Sequence, residues 1–253
     1  MSPGSGEADR AARIAREIEH HRRIATRAEE IWNWDSPAGR HRADRRGRLF
    51  VERGGLGPEV RALELGCGTG VFLERVAPCG AAITGIDLSA DLLNKARLRL
   101  AGTANVGLMR GNAEQMPFPG ACFDTVYGSS ILHHLDLERA VAECLRVLKP
   151  GGRIVFAEPN ILNPQVLVMF RLDVVKPRFG VSPDERAFSR FRAGAALRRA
   201  GYVGVGVRPF DFVHPALPAR WIQAAGRVGR GLEATPLLRE IAGSLLITAR
   251  RPD

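Results

Sequence analysis

Aromatic side chains are scarce in this chain, at 6% of its 253 residues with only two tyrosines. Basic segments interleaved with aromatics, a common footing for nucleic-acid surfaces, are therefore missing. Long apolar runs are missing too. Val166 to Phe170 and Leu245 to Ala249 are far too short to span a bilayer. Met1 to Arg23 is charged and lacks an apolar h-region, so no secretory leader is expected and the chain reads as cytoplasmic. Four cysteines (Cys67, Cys79, Cys122, Cys144) fall singly, which supports neither a disulfide framework nor a zinc site. No metal-ligand cluster is visible, and no metal is expected. What is present is a 45% apolar content, enough to fill the core of one enlarged domain. Net charge is +10, carried mostly by arginine spread along the chain. A solvated arginine-rich surface is the default. Contact with nucleic acid, an anionic substrate or membrane headgroups stays open, with nucleic acid not favoured.

The densest signal is Glu64-Leu65-Gly66-Cys67-Gly68-Thr69-Gly70 after the apolar lead-in Val60-Arg61-Ala62-Leu63. A buried strand entering such a loop brings bare backbone close to a ligand, because glycine has no Cβ and tolerates positive φ. Val71 to Val76 reads as a helix whose N-terminus faces the same ligand. A dinucleotide loop wants G-x-G-x-x-G, and here its third position is Val71. About twenty residues on, Ala81 to Asp87 is a short apolar strand ending in an acid, with Ser89 as a helix N-cap. An acid at the end of a second parallel strand is placed to accept hydrogen bonds from ribose hydroxyls, although Asp87 could also be a turn residue. A third motif, Arg110 to Pro119, follows a strand near Val106 to Met109. Then Phe123 to Leu135 reads as a fourth strand and its loop, and Leu137 to Leu148 as an amphipathic helix. A Lys149-Pro150-Gly151-Gly152 turn leads into the strand Arg153 to Glu158.

The acid-x-G-x-G-x-G loop and the motifs after it resemble the class I S-adenosylmethionine-dependent methyltransferases, specifically the small-molecule type similar to methyltransferase domain 11. The resemblance covers roughly Arg61 to Glu158. It implies an α/β fold: a doubly wound, mostly parallel, Rossmann-like sheet of seven strands with the last one antiparallel. It also implies S-adenosylmethionine as cofactor, held by Glu64, Gly66, Cys67, Gly68, Gly70, Asp87, Leu88, Asn112, Ala113, Ser129 and His134. Asn112 stands where such enzymes often carry Asp, and its amide oxygen can still accept from the adenine amino group. The Ala113 backbone would lie along the adenine edge. Several subclasses are disfavoured. Ser129-Ser130-Ile131-Leu132 replaces the Asn/Asp-Pro-Pro-aromatic loop of amino-methylating nucleic-acid enzymes, and Pro78-Cys79 lies far from where a nucleophilic Pro-Cys belongs. The paired-glutamate loop of arginine methyltransferases is not recognisable.

Outside the nucleotide fold, residues 1–55 read as a helical cap, and 56–253 as the main domain with inserts at about 160–184 and 208–240. Ile14, Ile18, Ile24, Ala28 and Ile31 form one apolar stripe over Ala11 to Trp32, and a second helix follows from Arg40 to Arg53. Trp32 and Trp34 are candidates to line the pocket, and Arg40, Arg42 or Arg45 to meet the methionine carboxylate. The inserts carry apolar residues that need a partner: the domain itself, a lipid-like substrate or another subunit.

For an acceptor that must lose a proton, His133 is the candidate base, with Glu158 at the end of the neighbouring strand fixing its tautomer. Proximity alone is the alternative. The expected function is methyl transfer to a small-molecule or amphipathic acceptor at O, N or C. The alternatives are methylation of RNA or another anionic macromolecule, and a non-catalytic binding protein on the same fold.

Overall fold

The structure, a computed structural model, describes residues 3–253, so the first two residues of the segment 1–55 lie outside it. Helix α1 (Pro3–Ile24) continues through a 3-10 turn into the short α2 (Ala28–Ile31). Trp32 to Asp35 breaks the helical run as expected. Helix α3 (Pro37–Gly54) then starts three residues earlier than predicted, because Ser36 caps it by accepting from the Gly39 N–H and Pro37 fits the first turn. It ends at Gly55 in a left-handed conformation, φ 64°.

Strands and helices then alternate: β1 (Arg61–Leu65), α4 (Val71–Val76), β2 (Ala82–Asp87), α5 (Ala90–Arg99), β3 (Val106–Arg110), β4 (Phe123–Ser129), α6 (Leu137–Val147) and β5 (Leu148–Pro159). Beyond these come α7 (Pro164–Arg171), α8 (Arg190–Arg199), β6 (Val203–Phe210), α9 (Ile222–Ala234) and β7 (Ser244–Arg250). The seven strands form one sheet in the order β3-β2-β1-β4-β5-β7-β6, with β7 antiparallel to both neighbours. That is the predicted doubly wound sheet.

Two boundaries differ from expectation. The Lys149 to Gly152 turn sits inside β5 as a bulge: Phe123 pairs with Leu148 and Thr125 with Arg153, so the intervening residues loop out of register. The sixth strand also reaches Phe210, because pairing with β7 continues to Ser244, and the second insert therefore begins at 211 rather than 208.

Alternation along the central strands divides the core. Val126, Ile154 and Phe156 pack with α6 and α8 on one face. Tyr127, Val155 and Ala157 pack with α3, α4 and α5 on the other. Phe50 anchors α3 to that second face; it is fully buried, 5.3 Å from the Tyr127 ring and 5.7 Å from Phe72. Thr125 adds a polar tie, donating its hydroxyl to the Gly54 carbonyl at 2.8 Å. Strands β1, β2, β4 and β5 all end at one edge, and both inserts leave from it.

Replacing Phe50 by Ala should cost about 3–5 kcal/mol of folding stability through the cavity it opens. Urea unfolding of the purified variant checks this, and a loss below 1 kcal/mol would mean that α3 is not held by this contact.

Candidate functional site

At the carboxyl edge of the sheet the chain turns sharply from β1 into α4. Gly66, Gly68 and Gly70 all take positive φ there, 61°, 50° and 80°. Gly66 is the tightest position, since a Cβ would stand 2.4 Å from the Ile131 Cδ1. The loop is pinned by Asp87 at the end of β2. One carboxylate oxygen accepts from the Gly68 N–H and the other from the Ser89 N–H, each at 2.8 Å. Asp87 is 7% exposed and faces the space above the loop.

That space is a cavity of about 440 Å³, adjoined by a smaller one of about 30 Å³. Of the predicted cofactor residues, Gly66, Cys67, Gly68, Asp87, Ser129 and His134 line the larger cavity. Leu88, Asn112 and Ala113 line the smaller one. Glu64 and Gly70 line neither. Gly70 caps α4, and Glu64 is 1% exposed with one carboxylate oxygen lacking any partner. Burial pushes the Glu64 carboxyl up to about 8. Asn112 spends its amide oxygen on the Glu114 N–H at 2.8 Å, which leaves one lone pair for a ligand.

His133 and Glu158 meet as the sequence suggests. Their Nδ1–Oε2 distance is 2.8 Å, and the other Glu158 oxygen accepts from the Ile131 and Leu132 N–H groups. Glu158 is fully buried and lines neither cavity, whereas His133 lines the larger one. The sequence missed Glu185, whose Oε2 lies 3.4 Å from the His133 Nε2. Burial alone would lower the imidazole, but its hydrogen bonds to Glu158 and Glu185 raise it to about 9. His133 therefore stands bracketed between two carboxylates, both ring nitrogens engaged. Burial would likewise raise Glu185, yet His134 and His133 hold its carboxyl down at about 2.

Two arginines line the cavity: Arg42, one of the three candidates, and Arg46, which the sequence did not single out. Arg40 bonds the Asp35 carbonyl at the surface, Arg42 pairs with Asp211 at 2.7 Å, and Arg45 forks onto Glu233. Arg46 is 2% exposed and its guanidinium donates to the hydroxyls of Ser129, Ser130 and Ser244, with Nε unpartnered. Among the described residues no carboxylate pairs with it, and burial lowers it to about 9. Its signal in the sequence was positional. Arg46 lies on the same inward stripe of α3 as Ala43, Gly47 and Phe50. Trp34 stacks beneath it, 5.1 Å from the guanidinium carbon, and Trp32 closes over Gly68. Both tryptophans line the cavity.

Asn33, Ser130 and Asp211, three of the four non-glycine residues with positive φ among the described residues, also border this cavity. Backbone strain of that kind, about 1–3 kcal/mol each, concentrates where a site imposes geometry. The apolar part of the wall comes from the inserts: Val166, Met169 and Phe170 of α7, and Phe212 and Val213 after β6. Cap and lid meet at a second group of side chains that the sequence keeps far apart. Glu17, His21 and His134 bring ligand atoms within 4.8 Å of one another, and so do His133, His134 and Glu185. No helix among the described residues is long and apolar enough to cross a membrane.

Known proteins share this arrangement. The family profile described as a methyltransferase domain matches residues 63–156, the stretch from β1 to β5. The malonyl-[acyl-carrier protein] O-methyltransferase of Geobacter sulfurreducens is 35% identical over 197 residues, covering 75% of this chain and 72% of that protein. The demethylmenaquinone methyltransferase of Geobacillus kaustophilus is 31% identical, covering 65% of this chain and 78% of that one. Among solved structures, a SAM-dependent methyltransferase from Thermotoga maritima superposes with a TM-score of 0.62 at 21% identity, covering 90% of this chain and 97% of the other. That last likeness is one of fold. The glycine loop, the acid after β2 and the length of the shared sequence lead to one conclusion: the chain belongs to the S-adenosylmethionine-dependent methyltransferases and is an enzyme that uses S-adenosylmethionine.

Proposed function

We propose that this enzyme methylates a small, lipid-like acceptor bound in the larger cavity, beneath a cap formed by residues 1–55. One observation carries the reading: the cavity is continuous from Gly66, Gly68 and Asp87 to the apolar insert residues Val166, Met169, Phe170 and Phe212. A pocket with an apolar wall and a few convergent polar groups suits an apolar body presented in one orientation. The relatives support it, one being named for a malonyl-acyl-carrier protein and the other for demethylmenaquinone.

In this reading Asp87 and Leu88 hold the ribose, and Asn112 and Ala113 meet the adenine in the smaller cavity. The backbone from Gly66 to Gly70, with Cys67 among it, runs beside the methionine portion, with Ser129 and His134 flanking it. Glu64 supports that loop from behind, and Arg46 receives the methionine carboxylate. Bound S-adenosylmethionine would supply an electrophilic methyl group: an electron pair of the acceptor would form the new bond to carbon, and sulfur would keep the broken bond's pair as a neutral thioether. Holding the two atoms in line at about 3 Å can supply up to about 7–11 kcal/mol of rate enhancement. The acceptor replaces Glu185 at the His133 Nε2. His133, oriented by Glu158, takes the acceptor's proton where one is lost. It does so in its neutral form, which the raised pKa of about 9 makes the minor one at neutral pH.

Three measurements test this. In calorimetric titration Asp87→Ala should lose micromolar S-adenosylmethionine binding while keeping the wild-type circular dichroism. Arg46→Met should weaken S-adenosylmethionine binding by about tenfold or more, the worth of a charged hydrogen bond. It should leave binding of 5′-methylthioadenosine, which has no carboxylate, unchanged; equal weakening of both would remove Arg46 from the carboxylate. With labelled methyl donor, transfer should go to isoprenoid quinol precursors or acyl-carrier thioesters in an acceptor panel. Incorporation into RNA alone would overturn the acceptor class.

A further inference from the structure

We propose that Glu17, His21 and His134 form a binding site for a divalent transition-metal cation of the zinc type. The chain holds 37 Lys and Arg, yet among the described residues none of them pairs with the buried carboxylates Glu17, Glu158 and Glu185. Three other buried carboxylates are met by arginine: Asp211 by Arg42, Glu233 by Arg45 and Glu114 by Arg13. At Glu17, Glu158 and Glu185 the facing cationic partners among the described residues are imidazoles, beside neutral donors such as the Ser182 hydroxyl. Imidazole and carboxylate together are the donor set of zinc and its neighbours in the first transition row.

Geometry adds the second part. Glu17 and His21 stand one turn apart on α1, so both project from one face of that helix. The Glu17 Oε2 lies 3.2 Å from the His134 Nδ1 and 3.9 Å from the His21 Nε2. Around a tetrahedral zinc with bonds of about 2.0–2.1 Å, donor atoms stand about 3.3 Å apart. The two distances from Glu17 are thus near that spacing, and all three donors lie within 4.8 Å of one another. Support is in place behind them. The Ser182 hydroxyl donates to the other Glu17 oxygen, and the Glu185 Oε1 stands 3.6 Å from the His134 Nδ1, near enough to serve as a further ligand. The His21 Nδ1 is buried with no hydrogen-bond partner among the described residues. His21 and His134 both border the two cavities, so a position left open on the ion would face the cofactor and acceptor space. Three protein ligands and one open position are the arrangement of reactive rather than purely structural zinc sites. Such an ion would also tie the cap, through Glu17 and His21, to the loop after β4. The site does not depend on the acceptor assigned above, because it is read with the metal alone.

The test is equilibrium dialysis of the full chain, stripped with a chelator, against Zn²⁺ in the absence of S-adenosylmethionine. One equivalent should be retained. His21→Ala and Glu17→Gln should each lose it, with circular dichroism confirming that at least one of the two variants is folded. Outer-sphere changes at zinc sites already cost about 10–100-fold in affinity, so loss of a ligand should exceed that range. His20→Ala, whose imidazole contacts the Gly180 carbonyl instead, should bind like the wild type. Cobalt(II) taken up at the same site should absorb in the visible and be displaced by zinc. No retained metal, or retention that survives both His21→Ala and Glu17→Gln, would overturn the site.

Discussion

A single buried carboxylate, Glu158, organises the carboxyl edge of the sheet. It ends β5 and reaches across to β4, accepting from the Ile131 and Leu132 N–H groups while bonding the His133 ring. These partners fix the turn after β4, and that turn places Ser129, Ser130, Ile131, His133 and His134 around the cavity. Ile131 in turn packs against the glycine loop, so close that only glycine fits at position 66. Removing one member of a buried, fully engaged group of this kind costs about 3–5 kcal/mol, because the others are left without partners. The glycine loop, the histidines and the strand ends therefore stand or fall together.

The second constraint is how arginine is used. A net charge of +10 suggests a surface made for anionic partners, yet several arginines are used to join segments of the molecule. Arg42 and Arg45 on α3 tie the cap to Asp211 and Glu233 of the second insert. Arg99 on α5 ties Glu29 of α2, and Arg10 and Arg13 on α1 hold Glu114 beside the smaller cavity. These pairs flank small apolar contacts between the same segments: Ala38 against Val213 and Ile222, and Ala28 against Leu92. Arg46, left with serine hydroxyls alone, is the exception, and the cavity it faces gives the reason.

Much of the fold was legible because its signals are local. A strand running into three closely spaced glycines, an acid about twenty residues later and an amphipathic helix before a Pro-Gly-Gly turn each sit within one short window. The strand and helix boundaries they implied hold to within a few residues, apart from the bulge in β5 and the longer β6, which depend on pairing with β4 and β7. His133 and Glu158 were also readable as a pair, since His133 lies in the turn after β4 and Glu158 near the end of the neighbouring β5. Glu185 was not readable as their third member. It follows a lid segment of no regular pattern, and nothing around it in the chain marks it as buried.

What the sequence by itself determined is the order of elements and the glycine loop with its acid at Asp87, hence the half of the cavity built on β1 and β2. Backbone geometry and chain direction settle these within a few residues, and no distant partner is needed. What only the tertiary structure decided is which of many arginines and acids turn inward. Arg46 meets Ser244 across 198 residues, and Glu17 meets Ser182 across 165. In a chain this rich in Arg and Glu, residue type alone cannot select them. Burial selects them, because a charge removed from water must find a partner or a ligand, and that requirement exists only once the segments have packed.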